Sequence, residues 1–146
     1  MKYYQGNRSP NNAEREDTGV SLSWLHHKGR NRHHYEYWVD YDPARGERIL
    51  AGARMPRKYV AEMVIDRICA SKNYQKEKYN DSSALVYYMN GRGAMLVDEE
   101  TDFLAIYLLT ILSEKGEEYL LRYMKKVLLK HKNRDYHVRD GKLILD

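Results

Sequence analysis

The sequence is short of the residues that mark disulfide-rich, low-complexity or membrane-spanning proteins. Its 146 residues contain one cysteine (Cys69), three prolines and nine glycines. One cysteine excludes an intrachain disulfide, and so few glycines and prolines argue against a low-complexity chain and a turn-rich all-β fold. No apolar run approaches the ~20 residues that cross a bilayer, and the first residues lack the apolar stretch of a secretory signal peptide. We therefore expect a cytoplasmic protein without a membrane partner.

Charge and aromatic content indicate whether this is a nucleic-acid-binding protein. Lys plus Arg outnumber Asp plus Glu by 25 to 21, and this net charge of +4 is well below that of a nucleic-acid-binding tail. Phenylalanine occurs once and tryptophan twice, against 14 tyrosines. Tyrosine and arginine can support stacking of single-stranded nucleic acid, but no RNA-binding signature is present and tyrosines at helical spacing are more often core residues. A nucleic-acid partner is therefore not indicated.

Apolar periodicity predicts one mainly α-helical domain over residues 1–146. Helical spacing recurs in five segments: 21–27, 56–72, 82–90, 98–114 and 117–131. The fourth segment is apolar almost all round, which predicts a central, buried helix. The fifth is predicted to bury one apolar stripe: Leu120, Met124, Val127 and Leu128.

Two segments are predicted to be non-helical. Residues 39–54 contain Pro43, Gly46 and Gly52, and they are predicted to form a loop. The pair Asp140-Gly141 is a strong turn signal, and it predicts a short C-terminal β-hairpin over residues 136–145.

Four of the six histidines fall within nine residues, as the pairs His26-His27 and His33-His34. Two tryptophans flank these pairs: Trp24 and Trp38. Neutral imidazole binds a divalent cation without adding charge, and apolar walls supply the dry surroundings that metal sites use. The alternatives are a solvated patch or histidines bonded to backbone carbonyls. Because the spacing matches no structural zinc motif, a mixed site of histidine and carboxylate is favoured.

Carboxylates that could complete such a site lie on the predicted helix over 56–72. Glu62 and Asp66 are four residues apart and share a helix face. The helical wheel places Asp66 at the edge of the apolar stripe, where it would face the histidines if the helix packs on them. For Glu62, a functional role and a surface ion pair with Lys58 are equally well supported.

Longer stretches of the chain resemble a family of uncharacterised bacterial and phage proteins. They are Lys2-Tyr-Tyr-Gln-Gly-Asn-Arg-Ser-Pro10, Ser23-Trp-Leu-His-His-Lys-Gly-Arg-Asn-Arg-His-His-Tyr-Glu-Tyr-Trp38, Met55-Pro-Arg-Lys-Tyr-Val-Ala-Glu-Met-Val-Ile-Asp66 and Ala70-Ser-Lys-Asn-Tyr74. Members of that family often carry the label catalase, but nothing in these residues indicates a haem pocket. The pattern is also similar, more distantly, to the HD-domain metal-dependent phosphohydrolases. That resemblance implies an HD-domain-like helical bundle in which His and Asp side chains hold one or two divalent metals.

The most specific part of the resemblance is the run His-x5-His-His-x-Glu followed by Glu-x3-Asp. It implies four metal ligands: His27, His33, His34 and Asp66. Glu62 would act as a catalytic base or support the ligands, and His26 would be a neighbour. In such an enzyme, cations near the histidines would hold the substrate phosphate: Arg30, Arg32, Arg57 and Lys58. An ordinary solvated surface is the alternative for these cations.

The function that this resemblance implies is a metal-dependent phosphohydrolase acting on a nucleotide or another phosphoester. The oxygen of Asp66 would favour Mn, Mg or Fe, whereas an all-imidazole set would favour Zn or Ni. The alternative is a degenerate, non-catalytic relative that binds a protein or a small ligand.

The resemblance also leads us to expect an N-terminally truncated chain. Relatives with this pattern carry an upstream His-Asp-x-Ser-Lys segment that supplies further ligands, and this sequence begins just past its position. We therefore expect an incomplete metal site with open positions. Apolar surface left uncovered by the shorter chain would favour a homo-oligomer.

Overall fold

The computed structural model describes residues 27, 29–44, 49–130 and 135–146. The predicted helix over 21–27 lies outside these residues apart from His27, which is helical. His26 and Trp24 also lie outside them.

Within the described residues the chain is mainly α-helical, as predicted. Four α-helices follow one another: α1 (Arg57–Gln75), α2 (Ser83–Gly91), α3 (Glu99–Lys115) and α4 (Glu117–Tyr123). Helix α4 continues into one π-helical turn at Met124–Leu128. Short 3-10 turns occupy Tyr35–Trp38, Lys76–Lys78 and Arg92–Ala94. None of the helices in this part of the chain is both long and apolar enough to cross a membrane.

The predicted central helix is confirmed. Helix α3 packs against α1, α2 and α4, and it begins where the Asp98 carboxylate accepts the backbone N–H groups of Glu100 and Thr101, both at 3.1 Å. This capping satisfies two donors that a helix N-terminus leaves unpaired. The core-facing residues of α3 are fully buried: Leu104, Ala105, Leu108, Leu109 and Leu112.

Helix α1 begins directly after Pro56 and extends three residues beyond its predicted end, to Gln75. Its apolar residues pack into the same core as those of α3. Glu62 and Asp66 lie outside this core, on the other side of the same helix.

The predicted burial of Val127 is wrong. Leu120, Met124 and Leu128 are buried as predicted, but Val127 is 45% exposed. The π-helical turn explains the difference, because the Leu129 N–H donates to the Met124 carbonyl, an i→i+5 bond of 2.8 Å. This bond fits an extra residue into the turn and rotates Val127 away from the core.

The prediction of a loop over 39–54 is also wrong in part. Strands β1 (Val39–Tyr41) and β2 (Leu50–Gly52) pair antiparallel, with Val39 opposite Gly52. A β-carbon at Gly52 would lie 2.8 Å from Asp98 N and would also meet the Leu96 carbonyl oxygen. The glycine therefore serves close backbone packing here and does not mark a loop.

The C-terminal hairpin is confirmed. Strands β3 (Tyr136–Arg139) and β4 (Lys142–Leu145) pair antiparallel. The two residues between them, Asp140 and Gly141, have φ angles of 52° and 71°. Two consecutive positive φ angles are what a two-residue type I′ hairpin turn requires.

Candidate metal centre

Two backbone turns bring the histidines together. The Arg30 N–H donates to the His27 carbonyl at 3.2 Å, and the His34 N–H donates to the Asn31 carbonyl at 3.1 Å. The chain therefore folds back so that the ring centroids of His27 and His34 lie 4.7 Å apart, as do those of His33 and His34. One nitrogen from each of the three rings lies within 4.8 Å of the other two. Three of the four predicted metal ligands thus converge.

The hydrogen bonds of His27 define its tautomer. The Asn31 side-chain nitrogen lies 3.1 Å from Nδ1 of His27 and also donates to the His27 carbonyl at 2.9 Å. An amide nitrogen only donates, so Nδ1 accepts and a neutral His27 carries its hydrogen on Nε2. That hydrogen points to Nε2 of His34, 2.9 Å away. In this arrangement the His34 Nε2 accepts a hydrogen bond from His27, and a bound cation would take the place of that hydrogen.

His34 is held in its neutral form. The pKa of His34 is lowered to about 4, first by burial and then by the positive charge that His33 and His27 can carry. Asp66 acts in the opposite direction on the same pKa. Since neutral imidazole is the metal-binding form, His34 can bind a cation at neutral pH without first losing a proton.

Helix α1 brings both predicted carboxylates to the same side as the histidines. Glu62 Oε2 lies 3.9 Å from Nδ1 of His33, which is within ion-pair distance but longer than a hydrogen bond. Asp66 is exposed and close enough to His34 to influence its pKa. Within the described part of the chain the converging set consists of the three histidines, so Asp66 as a ligand stays a prediction.

Two of the predicted phosphate-binding cations lie in the turn between the histidines. Arg30 and Arg32 are both exposed. The Arg32 guanidinium donates to the Tyr59 hydroxyl at 3.5 Å and lies 5.9 Å from the centroid of the Tyr37 ring. Lys58 is exposed, with its Nζ 5.6 Å from the centroid of the Tyr59 ring. These contacts leave the cations in contact with solvent beside the cluster.

The assignment of Arg57 to phosphate binding is wrong. Its side chain is 1% exposed. Its guanidinium donates to the backbone carbonyls of Leu128 at 3.3 Å, Asp135 at 2.5 Å and Asp146 at 3.0 Å. Arg57 thus joins the start of α1 to the C-terminal part of the chain, where a phosphate in solvent cannot reach it.

The sequence analysis did not single out Asn31 or Arg67, and it gave Glu36 a place in the histidine run but no role. Asn31 controls the tautomer of His27, and its position four residues after His27 in a turn is the signal that could have revealed it. Glu36 has one carboxylate oxygen, and Arg67 has its Nε, buried without a hydrogen-bond partner among the residues that the structure describes. The Trp38 indole, anticipated as an apolar wall, also donates to the Arg32 carbonyl at 2.7 Å and so fixes the turn.

Comparison with known proteins gives a family without an assigned activity. The model of a family of unknown function (DUF5662) matches residues 1–109, which include the histidine cluster and α1. No curated protein and no solved structure matches the chain.

Proposed function

The chain belongs to this family of unknown function, and we propose that it is a metal-dependent phosphohydrolase-like protein acting on a nucleotide or another phosphoester. Its divalent cation is held by three histidines: His27, His33 and His34. Asp66 and Glu62 lie on the adjacent helix as the carboxylates of the site.

The convergence of the three imidazoles carries this proposal. Two atoms that each lie ~2.1 Å from one cation are at most ~4.2 Å apart. The ring nitrogens here are all within 4.8 Å of one another, so a small side-chain closure suffices for common binding. The His27–His34 separation of 2.9 Å already fits neighbouring ligands, because it corresponds to an angle of about 90° at such a cation.

Cation binding through Nε2 of His27 would change the hydrogen bonds around that ring. The hydrogen now on Nε2 has to move to Nδ1, where the Asn31 side chain presents its donor nitrogen at 3.1 Å. A flip of the Asn31 amide would turn its oxygen towards Nδ1, and it would break the hydrogen bond from the amide nitrogen to the His27 carbonyl. Asn31 is therefore a positioning residue for the bound state of His27.

The surrounding charges suit a phosphoester substrate. A bound divalent cation would polarise a phosphoryl oxygen and lower the pKa of a bound water. Arg30, Arg32 and Lys58 are exposed beside the cluster and can hold the phosphate oxygens. Glu62 supports His33 and can accept a proton from water, and Asp66 adds an oxygen ligand.

Metal binding is tested first. We would strip the protein with a chelator, add Mn, Zn or Ni, and measure bound metal by elemental analysis beside the His33→Ala and Asp66→Ala variants. His137→Ala is the matched control, because this histidine lies on β3 outside the cluster. We expect the cluster variants to retain less metal than wild type, and His137→Ala to retain as much as wild type.

Hydrolysis is tested second, with metal-loaded protein on an aryl phosphate, an aryl phosphodiester and a set of nucleotides. Release of phosphate or phenolate that depends on His33 supports the enzyme. Metal binding without hydrolysis would instead favour the non-catalytic binding module. If wild type binds no more metal than His33→Ala, both the metal site and the phosphohydrolase are wrong.

A further inference from the structure

The outward face of the last helical segment carries a line of cations. Arg122 and Lys126 are one turn apart, and each is two residues from a core-facing residue on either side, which places both opposite the core. Lys125 and Lys130 are exposed beside them. We call these four residues the basic ridge: Arg122, Lys125, Lys126 and Lys130.

The basic ridge has one acidic neighbour on its helix, Glu118, which is exposed one turn before Arg122. Its four cations make no ion pair or hydrogen bond within the described residues, whereas Lys72 pairs with Glu117 at 2.5 Å and Arg54 with Asp135 at 2.7 Å. The sequence has no Asp or Glu from residue 119 to residue 134. Like charges four residues apart on a helix cost about 0.2–0.5 kcal/mol, so this arrangement opposes helix stability.

Tyrosines lie beside the basic ridge. Tyr119 is 46% exposed and precedes Arg122 by one helical turn, and the Lys115 Nζ lies 5.9 Å from its ring centroid. Tyr107, on α3, is 38% exposed, and its ring lies 5.9 Å from that of Tyr123. Cations next to exposed aromatic rings are the combination that proteins use to hold single-stranded nucleic acid, whose unpaired bases can stack.

We propose that the basic ridge, with Tyr119 and Tyr107, binds single-stranded nucleic acid. The cations contact successive phosphates, and the exposed rings offer stacking surfaces for the bases. The net charge of +4 does not reveal this local concentration of cations, because most acidic residues lie in other parts of the sequence. The ridge also lies outside residues 1–109, the part matched by the family model.

The distribution of apolar groups favours nucleic acid over a membrane surface. A helix that lies in a bilayer interface presents a continuous apolar face to the lipid. The apolar face of this segment, with Leu120, Met124 and Leu128, is already buried in the protein core. The exposed aliphatic residues Leu121 and Val127 lie at the two flanks of the ridge, separated by its cations.

The test is fluorescence anisotropy with labelled 20-nucleotide oligo(dT), oligo(U) and a duplex, in the presence of EDTA so that a metal at the histidines plays no part. The ridge variant is Arg122→Glu/Lys126→Glu/Lys130→Glu. The matched control is Lys76→Glu/Lys78→Glu/Lys142→Glu, which changes net charge equally at exposed positions elsewhere. Circular dichroism checks that both variants fold, and a glutamine version of the ridge variant removes charge without reversing it.

We expect the ridge variant to bind single strands at least 10-fold more weakly than wild type, and the control to bind within about 2-fold. With three or four phosphate contacts, raising the salt from 50 to 200 mM should weaken wild-type binding roughly 20- to 50-fold. Tyr119→Ala should weaken single-strand binding roughly 5-fold or more and leave duplex binding unchanged.

Three results would overturn the proposal. The first is an equal loss of binding in the ridge variant and its control, which would show a general charge effect. The second is an unchanged affinity in the ridge variant and in its glutamine version. The third is binding to phosphatidylserine vesicles with none to oligonucleotides, which would assign the ridge to a membrane surface.

Discussion

The hydroxyl groups of Tyr136 and Thr101 lie 2.7 Å apart and belong to a closed ring of three hydrogen bonds that joins β3 to the core. The Tyr136 hydroxyl donates to the Met55 carbonyl at 2.7 Å, and the Met55 N–H donates to the Thr101 hydroxyl oxygen at 3.1 Å. A tyrosine hydroxyl has one hydrogen, which here goes to Met55, so Thr101 donates to the Tyr136 oxygen at 2.7 Å in preference to Asp98 Oδ2 at 3.4 Å. All three residues are buried, so the ring satisfies polar groups that water cannot reach.

The ring predicts the effect of removing a single oxygen atom. Tyr136→Phe keeps the aromatic packing but leaves the Met55 carbonyl unpaired in the core and removes one partner of the Thr101 hydroxyl. We expect the free energy of unfolding to fall by about 1–3 kcal/mol, measured by urea denaturation. Tyr119→Phe, which removes the hydroxyl of an exposed ring, should change it by less than about 0.5 kcal/mol. Equal effects at the two positions would show that the three hydrogen bonds around Tyr136 do not contribute to stability.

The sequence predicted the helices well because helical periodicity is a local property. Asp98 caps α3 and Asp140-Gly141 turns the hairpin through bonds and φ angles that neighbouring residues determine. The β1–β2 pair was missed because its strands have three residues each, too few for alternation to emerge. The exposure of Val127 depends on a π-helical turn, which apolar spacing alone does not reveal.

The sequence predicted which histidines form the site, but it did not show which imidazole ring contacts which. The contact between His34 and His27 follows from two turns within seven residues. Because turns are local, the sequence contains the information for this contact. Arg57 shows the limit of this reasoning. Its neighbours in sequence are near the site, but its bonding partners are 71 to 89 residues away, so its role required the tertiary structure.

Gly52 gives a second test of the fold. In Gly52→Ala the new β-carbon meets the backbone of residues 96–98, including Asp98 N at 2.8 Å. The backbone there cannot yield as a flexible side chain would, so we expect a loss of about 1–3 kcal/mol in the free energy of unfolding. Gly91→Ala is the control, because a β-carbon at Gly91 has no neighbour within 4 Å. This substitution at the end of α2 should be neutral or stabilising. A stable Gly52→Ala protein beside an unstable Gly91→Ala protein would contradict the packing described.

Arg57 is expected to act on stability and not on substrate binding. Arg57→Met retains much of the side-chain volume but removes the donors to three backbone carbonyls. A hydrogen bond from a charged group contributes about 1.5–3 kcal/mol, but burying the guanidinium offsets part of that gain. We therefore expect the free energy of unfolding, measured by urea denaturation, to fall by about 2–4 kcal/mol. Lys58→Met, at the next and exposed position, should leave stability nearly unchanged. If folded Arg57→Met protein retained full stability but bound phosphoesters more weakly, the original phosphate-binding prediction would be restored.

Glu62 provides the sharpest test of the carboxylate beside the histidines. Its Oε2 lies 3.9 Å from Nδ1 of His33, so a small approach would bring it within hydrogen-bond distance and hold this ring with Nε2 turned to a cation. Removing such a supporting partner typically lowers metal affinity about 10- to 100-fold. We therefore expect Glu62→Ala to weaken Zn binding by that factor in a competition titration with a chromophoric chelator, and Glu62→Gln to recover part of the loss because its amide oxygen can occupy the same position beside the ring. Glu118→Ala, at an exposed position on α4, controls for loss of negative charge. If Glu62 has only a structural role, Glu62→Ala will lower the free energy of unfolding and bind Zn as tightly as Glu118→Ala does. That result would show that His33 has no carboxylate support.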